Sequence, residues 1–227
     1  MAPFDYRPGE ALRWRMPFAG LLQERPAHIS TVVFALFMLA STAFDGLQAT
    51  QGWVPLFWDD PTGLLAQAFG AAPIRAYAVA LPWYKAWETF SLLASAWIYF
   101  GVYVLFIALA KALARSDRPL RELLLDFGFT LLPIALVYHV THYFTLILSQ
   151  GVKIVSLFSD PFGWGWNLIG TAGRFRAPFL PDMGLVWHTQ VGLILFGHIG
   201  SVYLAHVEGL RVFNTPRQAT LSQLPML

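Results

Sequence analysis

Residues 89–110 read TFSLLASAWIYFGVYVLFIALA, 22 residues without a charge between Glu88 and Lys111. At a helical rise of 1.5 Å per residue this run extends about 33 Å, enough to cross the hydrocarbon core of a bilayer. Three more charge-free runs have comparable length: 26–44 between Arg25 and Asp45, 127–152 between Asp126 and Lys153, and 183–207 between Asp182 and Glu208. Backbone in lipid must satisfy its own hydrogen bonds, and these runs are continuous rather than alternating, so they predict helices and not a strand barrel. The expected fold is an all-α polytopic transmembrane bundle, a single integral membrane domain over 1–227. Its four spanning helices are expected over about 27–48, 86–111, 123–150 and 184–210.

Composition agrees with this reading. Hydrophobic residues make up 56% of the 227 residues and charged residues 12%, about half the charged share of an average soluble domain. Mean hydropathy is +0.53, which excludes a disordered chain. The absence of cysteine excludes disulfide scaffolds, zinc–thiolate and iron–sulfur sites and thiol nucleophiles. A formal charge of +2 gives no footprint for nucleic acid.

With four spans, the N-terminal tail, the middle loop and the C-terminal tail share one side. Ten Lys and Arg fall there, among them Arg7, Arg13, Arg15, Arg25, Lys111, Arg115, Arg118 and Arg121. Five fall on the other: Arg75, Lys85, Lys153, Arg174 and Arg176. The positive-inside bias expects both termini in the cytoplasm of a bacterial inner membrane, with 1–25 a basic tail. Residues 212–227 form a second tail whose end, Leu221 to Leu227, reads like the entrance to a further helix. The outer loops, 49–87 and 151–182, are rich in Trp and Tyr and are expected to carry interfacial helices, one near 63–72. Pro133 is expected to kink the third span. Gly192, Gly197, Gly200 and Ser201 suit close helix contact on the fourth. Glu208 and Arg211 are spaced as a surface pair, and Asp126 as a helix-end carboxylate. No internal repeat stands out.

Titratable side chains in hydrocarbon cost roughly 2.5–3.5 kcal/mol each and mark function by default. Asp45 ends the first span, Glu88 opens the second, His139 and His142 lie on the third, and His188, His198 and His206 on the fourth. Counted along the helices, Asp45 and Glu88 lie about 3–5 Å below the outer surface and His188 about 6 Å; His142, His139 and His198 follow at about 12, 16 and 21 Å. Three readings stay open. Asp45, His142, His188 and His198 are candidate ligands for Zn, Cu, Mn or Fe, with Glu88 a candidate base. Alternatively, haem b is held between the third and fourth spans by His142 with His188 or His139 with His198. Finally, the same groups serve as interhelical hydrogen bonds.

Several strings resemble the C-terminal half of the fenitrothion hydrolase-like family of bacterial polytopic membrane proteins. They are Ser41-Thr42-Ala43-Phe44-Asp45-Gly46, His142-Tyr143-Phe144, Ser159-Asp160-Pro161-Phe162-Gly163-Trp164-Gly165, Gly170-Thr171-Ala172, Gly197-His198, Leu204-Ala205-His206 and Ser222-Gln223 with Pro225-Met226-Leu227. The resemblance implies a metal-assisted hydrolase of organophosphate triesters, with Asp45, His142, Asp160, His198 and His206 at the family's polar positions. His139 and His188 stand where that pattern has apolar residues or tyrosine. Matching only one half of the family also implies partners: other membrane subunits or further copies of the chain. Two function classes therefore follow, a metal- or haem-bearing hydrolytic or redox protein, and a non-catalytic accessory subunit of a larger membrane complex such as a respiratory one.

Overall fold

A computed structural model describes residues 4–5, 13–14, 19–22, 25–174 and 182–226; Arg7, Arg15, Arg176 and Leu227 lie outside them. Four helices are long and apolar enough to cross a membrane: α1 (Ile29–Gln48), α4 (Tyr77–Ala114), the segment Gly128–Gln150 containing α6 (Leu132–Gln150), and α8 (Met183–Val212). At one end of the bundle, termed outer after the sequence expectation, the connections carry α2 (Trp53–Trp58), α3 (Leu64–Phe69) and α7 (Lys153–Ser159). The opposite end, termed inner, carries α5 (Leu120–Asp126) and α9 (Pro216–Gln223). A two-residue antiparallel pairing, Phe4 with Trp14 and Asp5 with Arg13, lies in the N-terminal tail. The expected helical bundle is therefore the architecture observed, apart from that short pairing.

The span boundaries differ from expectation in two places. α4 starts nine residues earlier, at Tyr77, because the aromatic residues before Glu88 pack rather than lie flat. Trp53 stacks on Trp87 at 4.1 Å and Trp58 on Tyr77 at 5.1 Å, which fastens the outer loop to the helix. The third span starts later. α5 ends at Asp126, a 3₁₀ turn covers Gly128–Leu131, and α6 begins at Leu132. Gly128 explains the break: a Cβ there would stand 2.7 Å from Val32 and 2.9 Å from Pro26, so only glycine lets the chain pass the start of α1. Pro133 consequently does not kink the span. It lies in the first turn of α6, where a missing N–H costs nothing.

Most of the exposed surface of these helices is apolar, as at Phe90, Trp97, Ile147 and Leu195, with the imidazoles of α8 as exceptions. Two buried clusters hold the bundle. The inner one joins Val32, Leu36, Tyr103, Ile107, Leu123, Phe127, Val212 and Phe213. The outer one gathers Phe57, Trp58 and Ala80 with Tyr84 and Trp87 against them. At the inner end Asp126 is buried and carries two guanidinium groups, Arg25 Nη1 on Oδ1 and Arg118 Nη1 on Oδ2, each at 3.0 Å. The C-terminal segment forms α9, which folds back onto α4 and α8.

The two outer connections are built alike. In Asp60-Pro61-Thr62-Gly63 and Asp160-Pro161-Phe162-Gly163 the glycine amide donates to the aspartate carbonyl, at 2.9 and 3.4 Å. Gly63 and Gly163 both take φ 70°; seven residues later Gly70 and Gly170 take 73° and 75°. Asp60 accepts from the Ala66 amide at 2.7 Å, and Asp160 from the amides of Trp164 and Gly165, both at 2.9 Å. Each turn follows a span and a short helix (α1–α2, α6–α7) and precedes a long span (α4, α8). Each long span is followed by a short helix whose start is marked by proline, Pro119 for α5 and Pro216 for α9. The two halves therefore share an Asp-Pro-x-Gly turn between a short helix and a long span; they differ in that α3 follows the first turn, while 164–169 after the second are turns and bends.

Candidate functional site

Asp45 sits one turn from the outer end of α1 and His142 near the middle of α6. These helices pack directly, because Thr42, Ala40 and Phe44 on α1 and Thr141 on α6 are buried. Thr42 and Thr141 turn their hydroxyls back onto carbonyls of their own helices, leaving no polar atom to hold the backbones apart. The result is a carboxylate–imidazole pair, with Asp45 Oδ2 3.3 Å from His142 Nε2. Their side chains keep 41% and 33% exposure, so the pair is reachable. Tyr143 lies edge-on to His142 at 4.8 Å and to His139 at 6.2 Å. The Nδ1 atom of His139 is buried with no partner among the described residues, and its side chain leaves α6 about 60° from His142.

The other candidates go elsewhere. His188 Nδ1 donates to the Gly184 carbonyl of its own helix at 2.7 Å. It lies nine residues from Gly197, the α8 residue that touches Val137 of α6, and so about half a turn round the helix from the α6 contact. His142 and His188 thus match in depth but do not face each other. His206 Nδ1 meets the side-chain oxygen of Gln223 on α9 at 2.9 Å. His198 stands on the wall of a cavity between α4 and α8. Glu88 accepts from Lys85 one turn back at 2.7 Å, which ties up the candidate base. Among the described residues no three His, Asp or Glu side chains converge as a metal-holding group. Asp160 is occupied by the turn amides described above. Glu208 and Arg211 form the expected pair, at 3.7 Å.

Compared with family models, curated proteins and solved structures, the chain matches none.

The donors bear on the cofactor readings. Asp45 and His142 offer two donors suited to a first-row transition metal, half of a tetrahedral shell. Of the two imidazole pairs offered for a haem between α6 and α8, His142 and His188 do not face each other, since His188 lies about half a turn round α8 from the α6 contact. Across that contact, Ser201 accepts from the Ile134 amide at 3.1 Å and Gln190 donates to the Thr141 carbonyl at 2.8 Å. These two cross-helix bonds were not singled out from the sequence, nor was Tyr143 as the ring between two histidines. An aromatic residue directly after His142 was the only available signal.

Proposed function

We propose that the chain is an integral membrane protein whose Asp45–His142 pair is a hydrolytic centre in the outer half of the bilayer. The observation that carries the reading is the 3.3 Å contact between the two side chains, made by helices from the two halves of the chain. A carboxylate on one imidazole nitrogen orients the ring and stabilises its cationic form. With Nε2 committed to Asp45, Nδ1 of His142 is the atom left to take a proton from a water attacking an ester. A transition metal bound by the same two side chains would supply activated water. The sequence resemblance points to organophosphate triesters as the substrate class. The test is p-nitrophenol release from a p-nitrophenyl dialkyl phosphate by protein in liposomes. D45N and H142Q should each lower the rate about a hundredfold or more, with T189A unchanged. Elemental analysis of wild type and H142Q reports whether an ion accompanies the pair. Wild-type protein without activity, or variants equal to it, would overturn the reading.

A second reading has its own support. His188, His198 and His206 are exposed along α8, where lipid contact is costly for imidazole. A subunit role in a larger complex, or association of copies, would cover them. Mass measurement in mild detergent tests this, and a strict monomer would count against it.

A further inference from the structure

Between α4 and α8, along the inner half of the bundle, lies a cavity of about 380 Å³. That is within the usual range for a small-molecule site, which is mostly apolar with a few fixed polar groups. Its wall has this composition, and three of its six polar side chains are already spent on the protein. Tyr103 donates to the Leu124 carbonyl at 2.8 Å, Thr130 donates to Phe127 at 2.7 Å, and Ser201 accepts from Ile134. Three groups remain. Among the described residues neither the His198 imidazole nor the Tyr99 hydroxyl has a hydrogen-bond or ring partner. The amide nitrogen of Gln223 is buried and unpaired at the inner end. His198 is the sixteenth of the thirty residues of α8, about 22 Å from either end and so near mid-depth. An imidazole left without a partner at that level is expensive, and a molecule in the cavity removes the cost by accepting its N–H.

We propose that this cleft binds a membrane-dissolved lipophile, a long apolar chain or ring system bearing a carbonyl oxygen that accepts from His198. All three unpaired wall groups can donate, and the Gln223 amide nitrogen can do nothing else, so an acceptor is the one complement that suits each of them. The walls are otherwise apolar, so the remainder of the ligand is hydrocarbon. Two sources share this chemistry, the ester carbonyl of a bilayer lipid and the ring carbonyl of a free quinone or cyclic ketone. The mid-depth position of His198 favours the second, since ester carbonyls lie near the interface. The site is separate from the Asp45–His142 pair and does not rest on the hydrolytic reading.

The experiment is photolabelling of the full chain in liposomes with three diazirine probes: an alkyl benzoquinone, a diacyl phosphatidylcholine and a plain alkane. Labelled peptides are read by mass spectrometry. The benzoquinone probe should label α4 and α8 around the cleft. H198L should lower that labelling about tenfold, the loss of one hydrogen bond, and leave alkane labelling unchanged. V202W, which fills the cavity, should abolish labelling by all three; A205L is a smaller plug should V202W not fold. Phosphatidylcholine labelling that shares the H198L sensitivity would assign the site to a bilayer lipid and still support it. Labelling indifferent to both the plug and H198L, or absent from the cleft, would overturn it.

Discussion

At Asp60 one side chain sets the shape of a loop. Its backbone is left-handed, φ 45°, a conformation that aspartate and asparagine tolerate better than most residues. Burial pushes its carboxyl up. The amides of Ala66, Leu65 and Leu64 and the Thr62 hydroxyl outweigh that and hold it below the usual carboxylate value. The folded state therefore binds the proton less readily than the unfolded chain. Its contribution to stability is complete above the unfolded carboxylate pKa and is lost as pH falls through the lower, folded value. D60N keeps the tolerated backbone and removes the titration. In thermal melts from pH 7 down to pH 2, the wild type should be more stable than D60N at neutral pH and the difference should close in acid. A constant difference would show that the charge is irrelevant to the turn. Asp45 and His142 show what was legible at this scale. Depth counting put both in the outer half of the bilayer, and the structure joins them. Which face each imidazole takes was not legible, because that depends on how α6 and α8 rotate against each other.

Element by element, the charge-free runs located all four spans, since length and hydropathy are set by the bilayer. Their ends were less visible. The start of α4 depends on aromatic stacking across a loop, and the start of α6 on the closeness of Val32 and Pro26 to Gly128. The α6–α8 contact also rests on one small residue. A Cβ on Gly197 would lie 2.7 Å from Val137 Cγ2, 2.8 Å from its Cβ and 3.2 Å from the Pro133 carbonyl. Neither the branched carbon nor the backbone can swing aside. G197A should therefore cost about 1–3 kcal/mol of stability, the usual range for overpacking, measured by thermal unfolding in detergent. V137A in the same chain, which removes the 2.7 Å contact but keeps the Cβ at 2.8 Å, should recover only part of it. G192A, where a Cβ meets nothing within 4 Å, should be close to neutral. If G197A and G192A behaved alike, the helices would not meet at that point.

For the whole molecule, the number of spans fixes how they are threaded. Two spans, α4 and the segment Gly128–Gln150, separate the Asp60-Pro61 turn from the Asp160-Pro161 turn, so both turns fall on one face of the membrane and α5 and α9 on the other. The spread of Lys and Arg leads us to propose that α5, α9 and the N-terminal tail are the cytoplasmic side. The buried Asp126 reinforces that assignment. It draws Arg25 from before α1 and Arg118 from after α4 to one point, and its hydrogen bond and charge raise the Arg25 guanidinium further above its already high value. By the positive-inside bias, a cluster so rich in cations is expected on that same proposed side. The chain lacks cysteine, so single thiols report orientation without background. T62C and F162C, one in each turn, should both react with a membrane-impermeant maleimide in intact cells. S116C, between α4 and α5, should react only after permeabilisation. The reverse pattern would invert the orientation. Reaction of T62C and F162C from opposite sides would overturn the threading, because no even number of crossings separates two turns that face opposite compartments.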